Sequence, residues 1–402
     1  MTDITKAPPR SRRALRPAVV ALFGLFCGSA AAEPTLDPTL PIVVTVGEPK
    51  APAAAAGLGA TRSGRTPLPL PERLSLLWQV RLGGRVEQPI AATADGHLVV
   101  ATGRGQLVEL DRAGKRVWQL QVEGANISGG PVIRSDGLRL IVTSRAELLG
   151  IDGDGKPRLR QQLPKGRSLS APPLPLADGG VLLAFAEQLM HVDAFGRIAA
   201  SGPLPAPVTS LVSDTASTYA VTRQGDVFTW TAFRAPRRVG SFGRTVDHVV
   251  AAGPGRLGAL AHPRSLVTLN LTNGARASFE APAQLLGPIA ATSERRWLVF
   301  SEDGLLSVEP SLRDHQRVFL ATRGGEPRSA QPAETLIVSD AGRAALGHYG
   351  GVSVLGLGSG AQATLELNGC GTPVSLVPAG SKRIGLGCRS GLVAVVGEPA
   401  PE

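Results

Sequence analysis

Short apolar runs, separated at close intervals by turn residues, repeat along the chain from about residue 89 to its end. In the first unit these runs span residues 89–93, 98–102, 107–111 and 117–120. The breaks between them contain Asp95-Gly96, Gly105 and Gly114. Short runs rich in strand-forming residues and bounded by such turns are typical of β-strands. The pattern therefore predicts four short strands in each unit.

The unit recurs with a regular period, most clearly at the turn between its second and third strands. The steps between successive turns are 38 to 47 residues, and the eight positions are Gly105, Ala146, Glu187, Gly225, Arg264, Gly304, Gly351 and Gly391. A period of about 40 residues with four strands per unit indicates a β-propeller. We therefore predict an all-β fold, an eight-bladed propeller of four-stranded antiparallel blades.

The ends of the chain predict how the ring closes. The eighth unit supplies only three strands, whereas residues 76–82, before the first unit, resemble the fourth-strand segment 116–122. We predict that residues 76–82 form the outer strand of the last blade, which removes the open edge of the ring. Trp78 and Trp118 occupy matching places in these segments, and we expect both to pack between neighbouring blades.

The first 32 residues have the features of an export signal. Basic residues at 10–16 precede an apolar run at 18–26, and Ala30-Ala31-Ala32 predicts cleavage before Glu33. The run is too short to span a bilayer. Cys27 follows Phe26, where a lipobox requires a small residue, so a lipid anchor is not expected.

Residues 33–72 are rich in proline and alanine and show little periodicity. Such a stretch cannot bury enough surface to offset its ordering entropy, and we predict a disordered spacer. The alternative is that residues 40–46 add as a strand to a partner or to the edge of the body. The domain prediction is therefore a signal peptide (1–32), a spacer (33–72) and a propeller (73–402).

Charge and composition restrict the classes of partner. The chain has 42 basic and 32 acidic residues, a net charge of +10, of which the first 32 residues carry +4. The remaining charge is scattered singly through turns, which is typical of a solvated surface and compatible with weak attraction to anionic membranes. Aromatic residues are only 4%, too few for a base-stacking platform. We expect no nucleic-acid partner, and a monomer.

Three features of the first unit resemble quinoprotein-type (PQQ-like) propeller repeats. They are Asp95-Gly96 before a strand, the Asp111-x-x-Gly114-Lys115 turn, and Trp118. The resemblance is good in units one and two and rests on spacing alone in units four to eight. It implies eight blades, in agreement with the count of turns.

That superfamily has two branches that bear on function. One contains dehydrogenases that use pyrroloquinoline quinone with calcium and carry a disulfide between adjacent cysteines. The other is a non-catalytic scaffold, similar to the propeller lipoprotein of the outer-membrane β-barrel assembly machinery. The three cysteines here are Cys27, Cys370 and Cys388, so no two are adjacent, and tryptophan is scarce. The chain resembles the scaffold branch more closely.

No motif predicts catalysis, a cofactor or a metal. The segment 253–258 matches G-x-G-x-x-G but lies between strands, where no helix could receive a pyrophosphate. Asp152-Gly153-Asp154-Gly155 lacks the later glutamate of a calcium loop. The six histidines are far apart, and we expect single exposed turn residues.

The two remaining cysteines predict a disulfide. We expect Cys370 in the first strand of the last blade and Cys388 in its second, with the turn centred on residue 379. This register places the two residues opposite each other, within bridging distance. An exported protein meets an oxidising compartment, which favours the bond.

Taken together, these features predict an exported, non-enzymatic propeller scaffold. We expect it in the periplasm or cell envelope, binding a protein or peptide partner, with outer-membrane protein assembly as one such role. The alternative is a periplasmic quinone-dependent dehydrogenase or a propeller that binds a small ligand.

Overall fold

A computed structural model describes residues 59–164, 168–214, 216–231, 234–302, 304–318 and 336–399. Every regular element in these ranges is a β-strand, and none of these residues forms a helix that could cross a membrane. The export signal at 1–32, Cys27, and residues 33–58 of the predicted spacer lie outside the described residues.

The strands group into eight antiparallel sheets, the blades, in chain order. Two strands precede the first blade: β1 (Arg65–Thr66) and β2 (Ser75–Arg81). Blade 1 comprises β3 (Ala91–Ala92), β4 (Leu98–Ala101), β5 (Gln106–Leu110) and β6 (Arg116–Gln121). Blade 2 comprises β7 (Ile127–Ile133), β8 (Arg139–Thr143), β9 (Glu147–Ile151) and β10 (Pro157–Gln162). Blade 3 comprises β11 (Ala171–Pro175), β12 (Val181–Phe185), β13 (Gln188–Val192) and β14 (Ile198–Pro203). Blade 4 comprises β15 (Val208–Ser213), β16 (Thr218–Thr222), β17 (Asp226–Thr231) and β18 (Arg234–Ser241).

The second half of the ring continues the same order. Blade 5 comprises β19 (Asp247–Gly253), β20 (Arg256–Ala261), β21 (Ser265–Asn270) and β22 (Arg276–Glu280). Blade 6 comprises β23 (Leu285–Ala291), β24 (Trp297–Ser301), β25 (Gly304–Val308) and β26 (His315–Val318). Blade 7 comprises β27 (Leu336–Ser339), β28 (Arg343–His348), β29 (Gly351–Gly356) and β30 (Gln362–Glu366). Blade 8 comprises β31 (Pro373–Pro378), β32 (Arg383–Cys388) and β33 (Leu392–Gly397), together with β2.

The first strand of each blade lies nearest the axis of the ring. Each of these inner strands contacts the inner strand of the next blade, and β31 of blade 8 contacts β3 of blade 1. The ring is therefore closed, and the predicted eight-bladed propeller is confirmed. Small residues such as Ala91, Gly129 and Ala290 fall on inner strands, where neighbouring backbones approach most closely.

Closure of the ring uses the strand that the sequence predicts. β2 pairs antiparallel with β33, and the register sets Trp78 opposite Val395 and Val80 opposite Val393. Blade 8 is thus built from both ends of the described chain, and the predicted closing strand is confirmed. No chain connection holds β2 to β33, so that pairing depends on hydrogen bonds and side-chain packing alone.

Apolar residues fill the spaces between blades rather than one central core. The middle strands are almost wholly buried, as in the runs Leu98–Ala101 and Leu392–Gly397. The outer strands alternate, as in Arg116–Gln121, where Trp118 is buried while Val117 and Gln119 are exposed. This distribution is expected when both faces of each sheet are covered by neighbours while the outer edge meets water.

The segment before β2 is part of the ring. Residues 60–69, which we call the inner strap, hydrogen-bond to inner strands of the second half of the propeller. Within it, β1 adds to blade 7 as a fifth strand, parallel to β27. Residues 59–72 fall within the predicted spacer (33–72), because their sequence has no apolar period. Their stabilising contacts are made mainly by the backbone, which leaves no such period.

Candidate functional site

The inner strap runs along one end of the inner strands, which surround the axis of the ring. Six of its carbonyl groups accept hydrogen bonds of 2.8 to 3.1 Å from backbone N–H groups at or near the C-terminal ends of the first strands of five successive blades. The donors are Ser213 of blade 4, Ala251 of blade 5, Ala291 of blade 6, Val338 and Asp340 of blade 7, and Lys382 of blade 8. The strap thus links blades 4 to 8 to one another through backbone hydrogen bonds.

Side chains fix the register of the strap. Gly64 has a φ of +66°, and a Cβ placed there would lie 2.2 Å from the carbonyl oxygen of Leu336. Arg65 forms a bidentate pair with Asp340, at 2.5 and 3.1 Å, which raises the pKa of Arg65. Thr66 is fully buried, and just beyond the strap Leu70 packs into the cluster around blade 8. Only glycine combines the left-handed backbone and the close approach at position 64.

Arg62 joins the strap to blades 3 and 4. Its guanidinium donates to the carbonyls of Pro172 and Pro173 at 3.0 and 2.8 Å, and to that of Leu211 at 3.3 Å. Burial lowers the pKa of Arg62 to about 10, so the side chain remains a cation at neutral pH. Backbone carbonyls therefore position a positive charge beside the axis.

A cavity of about 410 Å³ lies in the channel beside the strap. Its wall includes Arg62 and Gly64 of the strap, Ser210 and Leu211 of blade 4, and Val249 and Ile289 of blades 5 and 6. Cavities of this size with mainly apolar walls and a few polar groups are typical of small-ligand sites. In this chain the strap forms one part of the wall.

Blade 5 contributes the titratable groups of the cavity. His248 has a φ of +49° and lies against Gly287, and its neighbours include Asp247 and His262. The side chains of Asp247 and His262 are 3.5 Å apart. Burial, with a contribution from His262, lowers the pKa of His248, although Asp247 opposes the shift. The side chain of His248 is exposed to water, and the desolvation that lowers its pKa comes from the protein atoms around it.

The residues do not fit the quinone and calcium of the dehydrogenase branch. Cys370 and Cys388 are bonded to each other and are not adjacent in sequence, so they form no disulfide of the kind that lies against the quinone. Within the described ranges, no three His, Cys, Asp or Glu side chains are grouped closely enough to hold a metal ion.

The two motifs that resemble ligand loops are turns. Gly253–Arg256 closes the hairpin between β19 and β20. Asp152 accepts backbone hydrogen bonds from Lys156 and Asp154 and a side-chain bond from Arg158, and these bonds lower its pKa. This carboxylate stabilises its own turn and the following strand.

Tryptophan and glycine meet at successive blade seams. Trp78 of blade 8 lies against Gly114 of blade 1, and Trp118 of blade 1 lies against Gly155 of blade 2. In each pair a glycine Cβ would come within 2.7 Å of the indole ring. At the next seam Leu159 takes the same place. The repeat motif therefore pairs an outer-strand side chain with the turn glycine of the following blade.

A buried charged group lies at the seam between blades 1 and 2. Arg139 donates two hydrogen bonds of 2.9 Å to Glu109, and the Nδ1 atom of His97 lies 2.9 Å from the same carboxylate. The exposed fractions of Glu109 and Arg139 are 1% and 9%. This triad, the strap and Arg62 were not recognised from the sequence, because their partners are distant in the chain.

The prediction that the histidines are exposed turn residues is wrong for most of them: His248, His315 and His348 lie in strands, and His191 departs from it furthest. His191 lies in β13 and is only 3% exposed, with its Nε2 atom 3.1 Å from the carboxylate of Asp178. The contact with His191 lowers the pKa of Asp178. The third strand of a blade is buried on both faces, so a polar residue in it is enclosed whatever its type.

The structure contains a disulfide between Cys370 and Cys388, with a Cα–Cα distance of 5.2 Å. The predicted register is nevertheless wrong. Pro378 pairs with Ile384, so the turn is centred on residue 381, and a bulge then sets Pro373 opposite Cys388. Cys370 lies before β31, and its N–H donates to Leu367. The bond joins a loop to a strand rather than two facing strands.

Comparison with solved structures finds a similar architecture in other proteins. The chain is similar to BamB from Moraxella catarrhalis, with a TM-score of 0.61, 17% identity, and coverage of 81% of this chain and 100% of that one. It is also similar to the computationally designed Ika8 protein, with a TM-score of 0.65, 12% identity, and coverage of 80% and 99%. A catalytically inactive virginiamycin B lyase from Staphylococcus aureus gives a TM-score of 0.51 at 11% identity, covering 81% and 100%. At these identities the likeness shows the fold alone.

Sequence comparison is more specific. No curated protein matches the chain significantly. A family model described as outer membrane protein assembly factor BamB matches residues 74–292, which include β2 and blades 1 to 5 and the first strand of blade 6. That match spans more than half of the 402 residues. The chain belongs to the family of the outer membrane protein assembly factor BamB.

Proposed function

We propose that this protein is a non-enzymatic scaffold of the bacterial cell envelope that binds a protein partner during outer-membrane protein assembly. The family match over residues 74–292 is the observation that carries this proposal. An export signal at residues 1–32 would deliver the chain to the periplasm, where such a partner is met. The protein acts there as a monomer.

Charge on the outer edges supports a protein partner with an acidic face. The outer strands β6, β10, β14 and β18 contain six arginines and no acidic residue. All six are exposed, and three of them pair with carboxylates of their own blade: Arg158 with Asp152, Arg160 with Glu147 and Arg238 with Asp226. The charge that no ion pair among the described residues offsets is that of Arg116, Arg234 and Arg237. Complementary charge raises the rate of association and suppresses wrong partners. Blades 1 to 4 therefore present the favoured docking edge.

Capture from envelope extracts tests the proposal. Full-length protein carrying a cross-linker is expected to recover components of the outer-membrane assembly machinery. The double variant Arg234→Gln/Arg237→Gln, which removes two positive charges, should reduce that recovery, with the larger effect at low ionic strength. A matched control is Gln362→Glu/Thr364→Glu on β30 of blade 7, which changes charge on an edge away from this group. Recovery of no envelope protein, or equal loss in both variants, would contradict the proposal.

The dehydrogenase alternative is tested separately. The cysteines and the described acidic residues do not form the quinone and calcium sites of that branch. We therefore expect no reduction of an artificial electron acceptor when quinone, calcium and an alcohol or sugar substrate are supplied. Sustained turnover under these conditions would replace the scaffold proposal.

A further inference from the structure

The inner strap behaves like a bound peptide. It is an extended segment whose carbonyl groups are hydrogen-bonded at intervals by the ring, from Ser213 in blade 4 to Lys382 in blade 8. Part of it, β1, adds to the free inner edge of blade 7. Addition of an extended peptide to an open sheet edge is a general mode of recognition, in which the backbone supplies affinity and side chains supply specificity.

The side-chain contacts define which peptides would fit. Position 64 must be glycine, because a Cβ would lie 2.2 Å from the carbonyl oxygen of Leu336 and the backbone is left-handed. Position 62 is an arginine whose guanidinium reaches the carbonyls of Pro172, Pro173 and Leu211. Position 65 is an arginine paired with Asp340. The ring therefore favours the sequence Arg-x-Gly-Arg at positions 62–65.

We propose that the inner edges of blades 4 to 8 form a binding groove for an extended peptide of the Arg-x-Gly-Arg type, which residues 60–69 fill in cis. A segment of that type from a partner binds the groove in trans when the strap is displaced. The groove lies at the channel end where the inner strands end, whereas the proposed docking edge for an assembly partner lies on the rim. This inference goes beyond the proposed function.

Occupation in cis governs the apparent affinity for a second peptide. A tethered segment acts at a high effective concentration. A peptide can therefore bind in trans only to the small fraction of molecules whose strap is displaced, and its apparent affinity is reduced in proportion to that fraction. Weakening the strap without altering the ring should therefore increase binding. Gly64→Val does this strongly, because valine is strained at positive φ and meets Leu336.

The experiment measures binding of a fluorescent peptide with the sequence of residues 59–72 to the full-length protein. We expect Gly64→Val to bind it about tenfold or more tightly than the unaltered protein does. Gly358→Val is the matched control, since position 358 is an exposed turn with open space around it, and it should bind like the unaltered protein. A peptide with valine in place of its glycine should bind none of them.

A second variant serves if Gly64→Val fails to fold. Arg62→Ala removes side-chain contacts with blades 3 and 4 but leaves the backbone hydrogen bonds of the strap in place, and it should show a smaller increase in binding. Equal binding by the unaltered protein and both strap variants would overturn the inference, as would equal binding of the valine peptide. Absence of peptide binding alongside normal capture of envelope partners would overturn it and leave the proposed function intact.

Discussion

Glu109 is the carboxylate on which the seam between blades 1 and 2 depends. It is almost wholly buried and accepts two hydrogen bonds from Arg139, which is itself buried. Replacing it by alanine leaves the guanidinium enclosed without its carboxylate. We expect Glu109→Ala to lower the free energy of unfolding by about 3 to 5 kcal/mol, measured by denaturant titration.

A double replacement separates the charge effect from the packing effect. Glu109→Met/Arg139→Met removes both charges and keeps apolar volume, so it should recover most of the stability lost in Glu109→Ala. The exposed pair Arg238–Asp226 is the control, and its removal should cost about 0 to 1 kcal/mol. Equal losses in the single and double variants would show that the seam needs the shape of Glu109 and not its charge.

His248, in the wall of the cavity, makes the stability of the protein depend on pH, and the sign of that dependence can be predicted. Burial lowers its pKa, so the folded protein favours the neutral imidazole. As pH falls through the ordinary histidine value of about 6.5, the unfolded chain takes up the proton first and stability is lost. The opposing charge of Asp247 limits this loss, and that of His262 adds to it.

His248→Asn tests this reasoning, because asparagine tolerates the positive φ at this position. Relative to the variant, the unaltered protein should lose melting temperature between pH 7 and pH 5 and not between pH 9 and pH 7. A parallel decline of the unaltered protein and His248→Asn below pH 7 would refute the role of His248.

At the scale of elements, one contact repeats from blade to blade. The outer strand of one blade packs against the turn between the third and fourth strands of the next blade. Gly155 has a φ of +80°, and a Cβ there would lie 2.7 Å from Trp118. Gly274 has a φ of +70° with open space around it. Both glycine-to-alanine changes carry the left-handed strain of about 1 to 2 kcal/mol, but only the first disturbs a seam.

We therefore expect Gly155→Ala to destabilise the protein by about 1 to 3 kcal/mol more than Gly274→Ala does. Thermal and denaturant unfolding of the two variants measures this difference directly. Gly114→Ala, against Trp78, should resemble Gly155→Ala, because the two seams have the same geometry. If all three variants lose the same stability, the tryptophan contacts contribute little.

Elements that the sequence predicts well are those with local signals. The turns near Gly105, Gly225 and Gly391 follow from glycine between apolar runs, and each lies where the structure has a turn between second and third strands. The disulfide shows where local signals end. Symmetry about residue 379 does not allow for the bulge before Ser375 or for the longer turn, and neither leaves a mark in the apolar pattern.

The strap marks a second limit of sequence reasoning. Its hydrogen bonds are made by carbonyl groups, which every residue has, to donors up to more than 300 residues away. Only Gly64 and the two arginines distinguish it from a proline-rich spacer. At the scale of the whole molecule, the segment before blade 1 thus holds the ring twice, with the strap inside and β2 outside.

Among the outer strands, β2 is the one whose pairing is most easily lost on mutation. Every other outer strand is joined by a short turn to the strand it pairs with, whereas β2 meets β33 only after the whole ring has been made. Gln79 in β2 and Gln119 in β6 follow the matching tryptophans Trp78 and Trp118, so proline at either site disturbs an equivalent position. Proline has no N–H group to donate to a neighbouring strand, so it weakens the pairing of a strand in a sheet.

We expect Gln79→Pro to cause a larger loss of melting temperature than Gln119→Pro, and to produce oligomers that Gln119→Pro does not. Release of β2 exposes the edge of Leu392–Gly397, an apolar strand buried in the closed ring, and an exposed edge of this kind recruits another chain. In Gln119→Pro the turn at Gly114 keeps β6 beside β5. Light scattering during size-exclusion chromatography distinguishes the two outcomes. If both variants remain monomeric with equal melting temperatures, β2 is held no more weakly than an ordinary blade strand, and the strap alone suffices to keep the ring closed.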